Sequence, residues 1–286
     1  MTGVNWPLAS ANIREAFLDP GLQERVDRDG FVVVPFIDHE RIDQLRELFA
    51  SMDSGIKSGF YVSMHSRQAE HRVAVGEGLA RICGELPGRY LRDYELLLGT
   101  YAVKIPGPDS TQGVHQDLSF VDETKFVSVN CWFPLARVGP EDGRLMVMKG
   151  SHRLFPSVRG PVQPLFQAPG LRDVIVDRYL TTLDVAPGEA VMFSSRLVHY
   201  SPPNRGAHPR LAVSLTTIPA EATPRFYCPH PEGGMELLEV ASDFFYRFDP
   251  TTRPTSGTSL GRVPFDPSEI SSADIERFYD QNPELR

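Results

Sequence analysis

The sequence predicts a mainly β chain of α+β type: a β-sandwich or jelly roll with a helical layer at its N-terminal end. Two observations carry this expectation. From about residue 97, apolar segments of 5–9 residues recur between Gly, Pro and Asp turns, the rhythm of an antiparallel sandwich. The 286 residues also include 23 glycines and 25 prolines, a turn-rich composition that stays below the roughly 25–30% expected of disorder.

Each element follows in order. Short helices are expected near 11–18 and 21–28, then a strand over Phe31-Val-Val-Val-Pro35, rich in β-branched residues. Asp38 is a good N-cap for a helix over 39–52, where Ile42, Leu45, Leu48, Phe49 and Met52 recur at helical spacing. A further helix is expected near 77–96. Strands are expected at 97–105, 127–135, 144–149, 182–186, 190–194 and 210–218, with Pro187-Gly188-Glu189 a tight connection. The stretches 53–76, 154–180 and 219–265 read as long loops. A last helix is expected near 273–281, capped by Ser271 or Ser272. One domain, 1–286, is expected: a helical layer over about 1–96, a β-core over about 97–218 and a C-terminal extension.

Composition narrows the function classes. The net charge is −8, with acidic and basic residues interspersed, so neither a nucleic acid nor an anionic membrane is an expected partner. The longest apolar stretches fall far short of the roughly 18 residues a membrane span needs, and no secretory signal is visible at the N-terminus. Cys83, Cys131 and Cys228 are odd in number and widely spaced, as expected of reduced thiols in a cytoplasmic protein.

Three features carry chemistry. In Val114-His115-Gln116-Asp117-Leu118, the side chains at i and i+2 of an extended segment project to one face. The segment Gly188–His199 runs from a turn through an apolar strand to a second histidine. Arg210 then opens the strand 210–218, where alternation gives it the same face as Ala212, Ser214 and Thr216. Two histidines and a carboxylate suit non-haem Fe(II) in an oxygenase, and an arginine opening a core strand beside small and hydroxyl residues suits a carboxylate clamp in a cavity, with a salt bridge at the sheet rim as the alternative. Zinc with the same ligands, in a hydrolase or lyase, stays open.

With these motifs in order, the sequence resembles the phytanoyl-CoA dioxygenase family of Fe(II)/2-oxoglutarate oxygenases over roughly 20–218. The resemblance rests on Asp29-Gly-Phe-Val-Val-Val-Pro35, the stretch Gly113–Leu118, the turn Glu141-Asp-Gly-Arg-Leu145, Lys149-Gly-Ser-His-Arg153, and His199-Tyr-Ser-Pro-Pro-Asn204 leading to Arg210. It implies a double-stranded β-helix, a cupin-like jelly roll, with the N-terminal helices packed on one sheet. It implies Fe(II) held by His115, Asp117 and His199, the far carboxylate of 2-oxoglutarate on Arg210, and O2 as oxidant. Gln112 and Ser201 stand where members place further co-substrate contacts, and His152 falls in a structural turn. The implied reaction is oxidation of a small molecule, amino-acid-like or a natural-product intermediate. Hydroxylation is the simplest outcome, with desaturation, epimerisation and cyclisation as alternatives.

The remaining candidates come from position. Ser128, Asn130 and Trp132 share one face of their strand, so Asn130 and Trp132 border the co-substrate if that face lines the cavity. His65 and Arg72 lie in 53–76, which stands where a cover over the site belongs, and are candidates for substrate contact. Lys104 ends a strand just before the metal motif and is a candidate for substrate or co-substrate, against an ordinary lysine at the sheet rim.

Overall fold

The computed structural model describes residues 13–52, 55–155, 158–161, 170–248, 252–264 and 270–286. Its first elements are α1 (Pro20–Asp29), β1 (Phe31–Pro35), α2 (His39–Ser51), β2 (Phe60–Val62) and α3 (Ala69–Cys83). Asp19 caps α1 and Asp38 caps α2 through their carboxylates. The chain leaves α1 through Gly30, whose φ of 89° lies in the left-handed region and sends β1 directly back along the helix. Strands β3 (Tyr94–Lys104), β4 (Gln112–His115), β5 (Val129–Pro134) and β6 (Met146–Val147) follow. After α4 (Leu171–Arg178) come β7 (Thr181–Thr182), β8 (Glu189–Ser194), β9 (His199–Ser201) and β10 (Arg210–Pro219). The C-terminal part holds β11 (Arg225–Pro229), β12 (Met235–Glu239), α5 (Phe244–Arg247), β13 (Thr258–Val263) and α6 (Ser272–Gln281).

Two antiparallel sheets, ordered β1-β8-β5-β10-β3-β2 and β4-β9-β6-β7, form the core, and a third sheet orders β11-β12-β13. Alternation sorts the large sheet into two faces. Its outer face buries Val129, Cys131, Phe133, Val213 and Leu215 against Val26, Ile42, Leu45, Val75 and Leu79 of the N-terminal helices. Its inner face packs Trp132, Val191, Phe193 and Ala212 against Leu145, Val147 and Leu197 beside the small sheet. The helices therefore seal one side, and the polar positions of β5 and β10 turn inward.

Several expectations need correction. The described part of 11–18 is extended: Phe17 bridges Leu91, and the Gln23 side chain accepts from the N–H groups of Ala16 and Phe17. Residues 11–12 lie outside the description. The helix expected at 77–96 is α3, which starts earlier and ends at Cys83; Pro87 forbids its continuation. The strand expected at 182–186 is only Thr181–Thr182.

The three expected loops carry structure. The stretch 53–76 holds β2, hydrogen-bonded to the edge of β3, and the first half of α3. The stretch 154–180 holds α4, and 219–265 holds three strands and α5. Residues 53–54, 156–157, 162–169, 249–251 and 265 of these stretches lie outside the described set. The last helix stands as expected, with Ser271 and Asp274 forming a reciprocal capping box. All three cysteines are buried and free, and burial pushes the Cys83 thiol up to about 12.

Candidate active site

Strand register builds the site. His115 of β4 lies directly opposite His199 of β9 across the small sheet, with ring centroids 4.0 Å apart. An irregularity between Gln112 and His115 shifts the register along this pair. Two residues past His115, the backbone N–H of Asp117 donates to the carbonyl of Ser195 at 3.0 Å, which turns its carboxylate back toward both rings. Asp117 Oδ1 stands 3.8 Å from His115 Nε2 and 3.9 Å from His199 Nε2. One ligand atom from each of the three lies within 4.8 Å of the others.

The surrounding hydrogen bonds set the chemistry of this donor set. Nδ1 of His115 faces the Gly113 carbonyl at 2.8 Å and Nδ1 of His199 faces the Leu197 carbonyl at 3.0 Å. A carbonyl can only accept, so both Nδ1 atoms carry the proton and both Nε2 lone pairs point inward, the arrangement a metal ligand needs. Burial and the neighbouring His199 push His115 down to about 4, against the pull of Asp117. The ring is therefore neutral near pH 7. Asn130 Nδ2 holds Asp117 Oδ2 at 2.5 Å, leaving Oδ1 for the centre. Two imidazoles and a carboxylate with open space before them fit a divalent transition metal.

A buried charge cluster lies behind the ligands. Glu123 accepts from both terminal nitrogens of the fully buried Arg159 guanidinium, and from Arg196 Nε at 3.1 Å. Arg159 Nε also donates to the Asp117 carbonyl at 2.6 Å, and Gln116 Nε2 donates to the Arg196 carbonyl. The cluster thus ties the segment after His115 to the turn before His199. Sequence reading missed Glu123, Arg159 and Arg196, because no spacing rule brings three such distant positions together.

A cavity of about 310 Å³ opens in front of the ligands and is lined by His115, Asp117, His199 and Arg210 together. Arg210 is 5% exposed. It donates to the Gly143 carbonyl at 2.8 Å and to Ser201 Oγ at 3.3 Å, and its guanidinium lies over the Trp132 ring at 5.3 Å. Its buried Nε finds no partner among the described residues. Burial lowers it to about 10, so the group stays cationic near neutrality. Among the described residues no carboxylate pairs with this buried guanidinium, which beside a metal-type donor set suits an anionic ligand. Gly143 can supply its carbonyl because its φ of 71° is open to glycine. A Cβ there would stand 2.5 Å from the Pro202 carbonyl oxygen.

The other candidates divide. Asn130, Trp132, Gln112, Ser201 and His65 line the cavity. Gln112 Nε2 sits 2.9 Å from His115 Nε2, covering the lone pair a metal would use. Lys104 and Arg72 are not in the cavity wall. Lys104 is fully buried, and its Nζ donates to the carbonyls of Ser110, Ser201 and Pro202 at 2.5, 3.0 and 2.8 Å. Arg72 binds the carbonyls of Ser66, Tyr246 and Arg247 and fastens α3 to the C-terminal part. Both basic groups are consumed by backbone acceptors, which outcompete a role toward substrate, and burial with the neighbouring Arg210 lowers Lys104 to about 6. His152 faces the Asp27 carbonyl at 3.1 Å, in the turn after β6.

Comparison with known proteins bears on the fold and the family. The fold is similar to the epimerase SnoN, solved with Fe3+, α-ketoglutarate and nogalamycin RO, at TM-score 0.52 and 19% identity over 87% of this chain and 97% of that one. It is also similar to HygX from Streptomyces hygroscopicus, solved with nickel, 2-oxoglutarate and hygromycin B, at TM-score 0.50 and 18% identity over 71% and 88%. The carbocyclase SnoK of nogalamycin biosynthesis matches at TM-score 0.50 and 17% identity over 72% and 86%. Likeness at this identity speaks for the fold alone. No curated protein matches the sequence. The family model for phytanoyl-CoA dioxygenase matches residues 26–212, and the chain belongs to that family of non-haem Fe(II)- and 2-oxoglutarate-dependent dioxygenases.

Proposed function

We propose that the chain uses Fe(II), 2-oxoglutarate and O2 to hydroxylate a small organic molecule, within one catalytic domain whose two facing sheets form a double-stranded β-helix. The observation that carries this reading is the shared cavity of His115, Asp117, His199 and Arg210. His115, Asp117 and His199 hold the metal, and Arg210 with Ser201 holds the far carboxylate of 2-oxoglutarate. When bound, the iron and its co-substrate activate O2, and 2-oxoglutarate leaves as succinate and CO2.

The side chains of this protein supply geometry. The Nδ1 hydrogen bonds fix both imidazoles, Asn130 fixes the carboxylate, and the apolar wall keeps water from competing at the reacting carbon. A zinc hydrolase would need a general base near the metal. Among the described residues the cavity wall offers only His65 for that role besides the three ligands, and membership of the oxygenase family favours the oxygenase. Cyclisation and epimerisation, the reactions named for SnoK and SnoN, use the same cofactors and remain alternative outcomes.

The test is succinate release from 2-oxoglutarate with Fe(II) and O2 across a panel of small molecules, with mass spectrometry of each product. A gain of one oxygen atom marks hydroxylation. Loss of two hydrogens marks desaturation or ring closure, and an unchanged mass marks epimerisation. Turnover with Zn(II) and without succinate would contradict the reading.

A further inference from the structure

We propose that the substrate is an uncharged, ring-containing hydrophobic molecule, seated in an aromatic chamber of the cavity that the C-terminal part of the chain completes. This inference deepens the proposed function and rests on it. The cavity has two unlike ends. One holds the three candidate ligands and Arg210. The other is walled by Leu98, Phe120, Phe226 and Phe245, members of a single apolar cluster, with Met64 and Phe248 packed against it.

Phe226 lies on β11 and Phe245 in α5, with Phe248 just beyond it. All three follow residue 212, where the family match ends. The family match therefore covers the metal end together with Met64, Leu98 and Phe120, and the residues after it complete the chamber with Phe226, Phe245 and Phe248. The aromatic groups brace one another: Phe120 meets Phe245 edge-on at 5.2 Å, and Phe226 packs at 5.0 Å on Phe248. Rings held in this way offer faces and edges to another ring at little cost in ordering.

Charge points the same way. Besides the candidate ligands and Arg210, the only titratable residue among the described lining is His65, and burial lowers its pKa. A carboxylate or ammonium on the substrate would lose its hydration here and find no ion to pair with. Free amino acids, with both charges next to the reacting carbon, are therefore poor fits. His65 gives the chamber one neutral polar group, suited to a hydroxyl or carbonyl on the ring system.

The test uses full-length protein with 2-oxoglutarate and Mn(II), under argon, and the fluorescence of the uncharged naphthalene prodan. Acetylnaphthalene, naphthoate and naphthylmethyl-trimethylammonium compete for it. Acetylnaphthalene should displace prodan at a concentration at least tenfold below either charged analogue. Phe245→Asp should weaken prodan at least tenfold, and Phe245→Leu much less. Equal or better competition by a charged analogue would overturn the proposal, as would unchanged prodan binding by folded Phe245→Asp. The competition in the wild-type protein decides even where that variant fails to fold. Calorimetry of 2-oxoglutarate on the same wild-type sample reports the oxygenase reading separately, so the two can fail independently.

Discussion

Asn130 donates to Asp117 Oδ2 at 2.5 Å while its own carbonyl oxygen accepts from Thr216 Oγ1 at 2.5 Å. The amide is thus fixed at both ends, by a side chain of β10 and by the candidate ligand. One carboxylate oxygen is occupied and the other is left facing the two imidazoles. The ligand geometry is therefore set from the large sheet, although all three ligands lie on or beside the small one.

Removing that support should loosen the metal without unfolding the chain. Asn130→Ala is expected to weaken Fe(II) or Mn(II) binding by about 10–100-fold, the usual effect of losing a partner that orients a ligand. Calorimetric titration of metal, with circular dichroism as the control for folding, checks this. Wild-type metal affinity in the variant would remove Asn130 from the account.

Glu123 should matter for stability, with a defined pH dependence. Burial raises its pKa, but Arg159 and Arg196 together outweigh it and hold the carboxyl below its ordinary value. A depressed folded-state value stabilises the protein above the unfolded value, about pH 4.3 for glutamate. That contribution is lost as pH falls through the lower folded value. Glu123→Gln is expected to cost about 3–5 kcal/mol near pH 7, because it leaves buried arginines uncompensated. The gap from wild type in urea unfolding should narrow below about pH 4. A gap independent of pH would contradict the ionised assignment.

Lys104 should prove structural. Lys104→Met leaves the carbonyls of Ser110, Ser201 and Pro202 without their donor, at roughly 1–3 kcal/mol for each acceptor left unpaired. Thermal unfolding should show the loss, while 2-oxoglutarate affinity falls far less than on loss of Arg210. A selective loss of 2-oxoglutarate binding with unchanged stability would return Lys104 to the site.

At the other end of the chain, Ser271→Ala removes half of the capping box on α6. It should destabilise by about 0.5–2 kcal/mol in denaturant unfolding, with no change in metal binding. An effect on metal binding would mean that α6 communicates with the site.

How much was legible in the sequence depends on whether a rule of local spacing applied. Alternation along β5 and β10 placed Asn130, Trp132, Arg210, Ser214 and Thr216 on the cavity side correctly, because period two is fixed by strand geometry. His115, Asp117 and His199 were legible through their motifs, and the structure brings them together. Arg72 and Lys104 misled because a basic residue near a site resembles a ligand-binding one until its acceptors are known. The chamber was hidden for another reason. Residues 219–265 read as a loop because short strands around Gly233 and Gly234 carry little periodicity, and Phe245 reaches the cavity only through tertiary packing.

The central claim is that Arg210 and the three-ligand centre together hold 2-oxoglutarate. It is tested most directly by titrating 2-oxoglutarate into Fe(II)-loaded protein under argon, in wild type and in Arg210→Ala. Wild type should bind one equivalent. The variant should bind at least a hundredfold more weakly, since a buried charged pair broken on one side costs about 3–5 kcal/mol, while Fe(II) itself still binds. Equal 2-oxoglutarate affinity in the two proteins would contradict the account.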